Sequence, residues 1–125
     1  MKGWFAIALW VLSLGCDKEA PPEIQTAYER DLSHKLFACT GCQQKDSPDG
    51  ELDLTDPWTL VDVPSRQVDM KLIEPGNHLR SYLWHKVNGS QSIAGGLGRR
   101  MPVSHTWTPE EIELLGQWID LGMPR

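Results

Sequence analysis

Leu36-Phe37-Ala38-Cys39-Thr40-Gly41-Cys42-Gln43 is the stretch on which the reading of this chain turns. Two thiols three residues apart can each form a thioether to one vinyl group of a haem. The residue after the second thiol is then held beneath the iron, where a His normally supplies an imidazole nitrogen, so the attachment pattern is C-x-x-C-H. Position 43 is Gln. A Gln amide oxygen is a neutral, weak donor, whereas imidazole binds both ferrous and ferric iron well. The stretch offers two points of covalent attachment and lacks the usual iron ligand beside them.

Upstream, Ile24, Tyr28, Leu32 and Leu36 recur every four residues with Ala27 beside them. That period predicts a helix from about Glu23 to Ala38, with Glu23, Arg30, Asp31 and Lys35 facing water. The thiol pair sits at its end, and Gly41 suits the tight turn that follows. Asp17 to Glu23 (DKEAPPE) has no apolar period and reads as a stiff tether. Before it, Lys2 and the uncharged run Trp4 to Leu14 read as a targeting segment, to be left out of the fold. The run of eleven residues is short for a bilayer span, which takes about 20. Its end, Leu12-Ser13-Leu14-Gly15-Cys16, resembles a bacterial lipobox. The organisation expected is a lipoprotein signal over 1–15, an acylated Cys16 with tether over 16–23, and a domain over 24–125. Asp17 after the acylated Cys is similar to the arrangement that retains lipoproteins at an inner membrane. An ordinary secretory signal or a short N-terminal anchor, with Cys16 incidental, is the plainer alternative.

A chain of 125 residues with 40% hydrophobic and 23% charged content is in the range of one small globular domain. The net charge of -5 argues against nucleic acid or an anionic membrane surface as partner. With Cys16 lipidated, Cys39 and Cys42 are the remaining thiols, too few for the four thiolates of an iron–sulfur cluster. A zinc site would have to add His78 and His85, but no C-x-x-C…H-x-x-x-H spacing occurs, and exported thiols tend to oxidise. A thioredoxin-like pair opens a helix within strand–helix alternation; this pair closes one. No nucleophile–base pair or paired carboxylates stand out, so an enzyme is not expected.

Downstream, Pro48-Asp49-Gly50 marks a turn, and Leu52 and Leu54 are expected to tuck under a loop. Asp56-Pro57 predicts a short helix that turns Trp58 and Val61 inward and stops near Pro64. Val68 to Ile73 has a brief strand-like look. After the turn at Pro75-Gly76-Asn77, a helix capped by Asn77 is expected, with Leu79, Leu83 and Val87 on one face beside Tyr82 and a stop at Asn88-Gly89. Ser90 to Arg100 is a glycine-rich loop leading to Met101-Pro102. Thr108-Pro109-Glu110-Glu111 is a capping box with Pro at the first helical position. Ile112, Leu115, Trp118 and Ile119 form the buried stripe of that last helix, and Gly122 ends it.

The order and spacing of these pieces resemble a class I cytochrome c domain of the small membrane-attached bacterial kind, over about residues 24 to 123. The resemblance rests on LFACTGC (36–42), LDLT (52–55), EPGN (74–77) and SYLWHKV (81–87). It continues in RMP (100–102), TPEEI (108–112) and WIDLG (118–122). It implies an all-α fold of three to four short helices joined by long ordered loops, wrapped around one haem c. Cys39 and Cys42 would make the thioethers and Met101 would be the distal iron ligand; taken alone, Met101 is an ordinary loop or core Met. Gln43 stands at the proximal position, and the family's attachment machinery reads a His there. His34, His78, His85 and His105 lie elsewhere than the proximal side. Two functions follow. One is electron transfer by a periplasm-facing, lipid-anchored protein of the bacterial envelope, with a redox protein as partner. The other is a haem-free binding or structural domain with a Cys39–Cys42 disulfide.

Overall fold

The computed structural model describes residues 28–38, 54, 56–103 and 105–125; the expectations for Cys16, Cys39, Cys42, Gln43, Ile24 and Leu52 lie outside them. Among the described residues the chain is helical, with three helices and no strand longer than isolated bridges. The first, α1, opens as a π-helical turn, Tyr28–Leu32, and continues as α-helix, Ser33–Ala38. The second, α2, is Tyr82–Asn88, and the third, α3, is Pro109–Asp120. Two 3-10 turns, Pro57–Leu60 and His78–Arg80, interrupt the intervening chain.

Helix α3 is the organising element, and its start follows from four consecutive residues. The Thr108 hydroxyl accepts from the Glu111 N–H at 3.3 Å, and the Glu111 carboxylate accepts from the Thr108 N–H at 2.8 Å. The reciprocal bonds satisfy two donors that a helix start leaves open, and Pro109 occupies a position whose missing N–H costs nothing. The stripe that follows buries Leu115, Trp118 and Ile119 completely, with Ile112 at its half-buried margin. Leu32 and Leu36 of α1 enter the same core, as the four-residue period requires. On its outer side α1 is tied to α3 by Lys35, whose ammonium lies 2.6 Å from the Glu111 carboxylate. Lys35 is therefore an inter-helix tie rather than the solvated charge expected.

The end of α3 turns back on itself. Gly122 takes a left-handed φ of 84°, and the N–H groups of Gly122 and Met123 return to the carbonyls of Ile119 and Trp118. The tail then accepts two indole N–H bonds, Trp58 to the Met123 carbonyl and Trp118 to the Pro124 carbonyl, each 3.0 Å. The Trp58 and Trp118 rings meet edge to face at 5.6 Å. This arrangement places aromatic edges where their positive rim meets a neighbour's face.

Between the helices the structure departs from expectation in three places. The turn after Asp56 buries Pro57 and Leu60, leaving Trp58 and Val61 half-buried. A 3-10 turn advances three residues per cycle rather than 3.6, so a different side faces inward. The Val68 to Ile73 stretch makes only single bridges, Lys71 to Pro64 and Ser81, and Ile73 to Val61. Leu79 is exposed and does not share the face of Leu83 and Val87. Asn77 caps the 3-10 turn, and Ser81 then starts α2 in a new direction, its hydroxyl bridging the Glu74 N–H and the Asn77 carbonyl. Leu54 is buried as expected.

Glu111 carries a pH dependence. Burial pushes its carboxyl up, but bonds from Lys35 and the Thr108 N–H together hold it below its ordinary value of 4.5. A depressed carboxyl pKa contributes stability that is complete above the ordinary value and is lost as pH falls through the folded one. Acid titration of Lys35→Met, followed by thermal melting, should therefore show a shallower loss of stability below pH 4.5 than wild type. Identical slopes for the two proteins would remove the Lys35 tie from the account.

Candidate functional site: the Met101 loop

Helix α2 leaves its last carbonyls without intrahelical partners, and the loop after it supplies them. Gly89, at φ 83°, ends the helix, and the N–H groups of Gly89 and Ser90 both return to the His85 carbonyl. Twelve residues on, the Met101 N–H donates to the Lys86 carbonyl at 2.9 Å. The chain between them closes into a loop with both feet on the C-terminal end of α2. Met101 is half-buried, and its bond to Pro102 is cis.

Side chains pin the interior of this loop. The Lys86 ammonium donates to the Leu97 and Arg99 carbonyls at 3.2 and 2.9 Å, and burial pulls its pKa down. The Gln91 amide donates to the Gly98 carbonyl at 3.1 Å. The Gln67 side-chain oxygen accepts both the Tyr82 hydroxyl at 2.6 Å and the Leu97 N–H at 3.1 Å. Tyr82 is buried, which pushes its phenol up from its ordinary value. Glycine is required at 96, because a Cβ there would collide with the Tyr82 hydroxyl and come within 2.7 Å of Cζ. Gly96→Ala should cost about 1–3 kcal/mol, the usual cost of overpacking a tight site. A chemical-denaturation midpoint unchanged from wild type would show that the loop is not held against Tyr82.

Among the described residues two buried polar atoms have no hydrogen-bond partner, the Gln91 side-chain oxygen and the Trp107 indole nitrogen; such atoms are rare in folded proteins. On the other side of Arg100 an open groove of about 630 Å³ lies between α2 and α3, with Trp84, Trp107, His78 and Asp120 among its walls. Gly116 lets the helices approach, since a Cβ there would lie 3.2 Å from the Trp84 indole nitrogen. That nitrogen donates to the Ile112 carbonyl at 3.2 Å.

The four histidines considered as iron ligands do not converge. His78 is clamped to Asp120, its backbone N–H and Nδ1 lying 2.8 and 2.7 Å from the two carboxylate oxygens. His85 donates from Nε2 to the Leu79 carbonyl at 2.8 Å, and its Nδ1 lies 2.7 Å from the Ser90 hydroxyl. His34 and His105 are exposed. Among the described residues no three His, Cys, Asp or Glu side chains gather into a metal site. Of the proposed haem-contacting residues, Met101 alone is described. The end of α1, Ala38, directly precedes Cys39.

Sequence reasoning missed Gln67 and Gln91 altogether, and read Lys86 only as part of a motif. Gln67 carried no signal, because its partners lie 15 and 30 residues away. Lys86 did carry one: a basic residue in the last turn of a helix that enters a glycine-rich loop can reach the loop's carbonyls. No protein-family model, no curated protein and no solved structure matches this chain.

Proposed function

We propose that this protein is a cytochrome c-like electron-transfer lipoprotein of the bacterial envelope, lipid-anchored at Cys16, facing the periplasm and carrying one haem c. Two separate observations support this reading, one on α1 and one on the Met101 loop. Helix α1 shares a core with α3 and ends one residue before Cys39, while Met101 is fixed to the end of α2 through the Lys86 carbonyl. Cys39 and Cys42 would hold the haem by thioethers, and the Met101 sulfur would be its distal donor. The haem supplies a one-electron couple when bound. This chain's own contribution is to hold Met101 in place through the Lys86 carbonyl.

The donor at position 43 fits this reading less well, since an amide oxygen is a poor substitute for imidazole. A second reading accordingly has an observation of its own. Trp107 and Trp118 are buried in one core with side chains of α1, α2 and α3, a core that forms without a cofactor. In that reading the haem has been lost, Cys39 and Cys42 form a disulfide, and the domain serves binding or structure.

The deciding measurement is an absorption spectrum of the full chain made with c-type maturation factors. A Soret band, with haem stain that survives a denaturing gel, is the expected result. A colourless protein without free thiols would replace the first reading with the second.

A further inference from the structure

We propose that the loop after α2 is a membrane-contacting surface that docks on anionic phospholipid, independently of whether haem is bound. Three observations on the same loop carry this. The first is apolar exposure: Ile93 is 88% exposed, Leu97 76% and Val103 55%. Branched aliphatic side chains left this open on one short loop, two of them four residues apart, are characteristic of contact surfaces rather than of a solvated turn.

The second observation is charge. No Asp or Glu occurs between positions 75 and 109, a window that holds Arg80, Lys86, Arg99 and Arg100. It carries +4 in a chain whose total is -5, so the remaining residues carry -9. Arg80 is paired with Glu74, and Lys86 of α2 is turned inward on the Leu97 and Arg99 carbonyls. That leaves Arg99, exposed, and Arg100, which also reaches the Thr106 hydroxyl, as the basic residues of the loop itself. The overall acidity that argues against an anionic surface therefore does not describe this face.

The third observation is the state of the backbone. A loop whose tips reach the hydrocarbon of a bilayer must satisfy the amide groups that enter it, since each one left bare there is costly. Here the N–H groups of Ile93, Ala94, Gly95 and Gly96 donate to carbonyls of Ser90, Ser92 and Gln91. The Leu97 N–H donates to Gln67, and the carbonyls of Leu97, Gly98 and Arg99 accept from Lys86 and Gln91. These bonds tie much of the loop backbone to itself, to α2 and to Gln67, while Ile93 and Leu97 stay exposed. Apolar tips beside basic residues, on a loop whose backbone is largely tied to the protein, match the chemistry of a phospholipid interface: acyl chains below and phosphates at the rim.

The test is hydroxyl-radical labelling of the full chain reconstituted in vesicles. Two compositions are compared, phosphatidylglycerol with phosphatidylethanolamine, and phosphatidylcholine alone. Labelling of Ile93 and Leu97 is expected to fall in the anionic vesicles and to stay high in the zwitterionic ones and in 0.5 M salt, which shortens the screening length to roughly 4 Å. Arg99→Gln and Arg100→Gln should each weaken the protection roughly five-fold, the factor expected per basic residue near an anionic surface. Ile93→Ser with Leu97→Ser, at positions where neither side chain supports the fold, should abolish protection of Val103. Equal labelling in the two vesicle types overturns the proposal. So does protection that appears in native envelopes but on neither pure lipid, which would assign the loop to a protein partner. Haem stain of the same samples reads the cytochrome assignment separately, so failure of one leaves the other measurable.

Discussion

Trp118→Ala is expected to lower stability by about 3–5 kcal/mol, the range for removing a large aromatic from a packed core. The side chain is fully buried and stands where three parts of the chain meet. It shares the core with Leu32 and Leu36 of α1, meets Trp58 edge to face, and its indole N–H holds the Pro124 carbonyl. Truncation leaves a cavity in the core that α1 and α3 share and removes the bond to the tail. Folded domains have about 5–15 kcal/mol to lose, so much of the population should be unfolded at modest temperature. Trp118→Phe is the control: it keeps most of the volume and loses the bond to the tail, and should cost clearly less. A urea midpoint for the Ala variant near that of wild type would mean that α1 and α3 are not packed through this residue.

The same residue shows what was legible in the sequence. Ile112, Leu115, Trp118 and Ile119 follow a capping box and precede Gly122, so every local signal agreed on a helix and on its buried face. Leu36 and Leu32 were legible for the same reason, a four-residue period sustained to the end of α1. Leu79 was misread because a 3-10 turn separates it from α2. Ser81, bridging Glu74 and Asn77, turns the chain before the α-helical period begins. The pinning of the Met101 loop was out of reach because it depends on Gln67, whose neighbours are set by tertiary folding. A summed charge of -5 does not show its distribution: the acid-free stretch from 75 to 109 holds four basic residues. Met101 as an iron ligand is an expectation from the order of motifs alone, since nothing local distinguishes a ligand from a filler.

Gln43→His should convert a chain that lacks a good proximal donor into one that binds haem c fully. The substitution completes C-x-x-C-H after Cys39-Thr40-Gly41-Cys42, on a scaffold whose Met101 is already fixed to α2. An imidazole is similar in bulk to the amide it replaces, so a benign change within roughly ±0.5 kcal/mol is expected for the haem-free protein. Made with maturation factors, the variant should show covalent haem, a low-spin spectrum and the weak far-red sulfur-to-iron band of Met–His ligation. Adding Met101→Ala should keep the haem and remove that band, because the thioethers do not depend on the distal sulfur. Haem in the wild-type chain as well would end the haem-free reading, and a higher potential in Gln43→His would then measure what the missing imidazole withholds. Haem in the variant alone would make the chain a cytochrome whose pocket outlived its ligand. Haem in neither would mean that Trp107 and Trp118 fill the interior that a cofactor would need, and electron transfer would be withdrawn as the function of this protein.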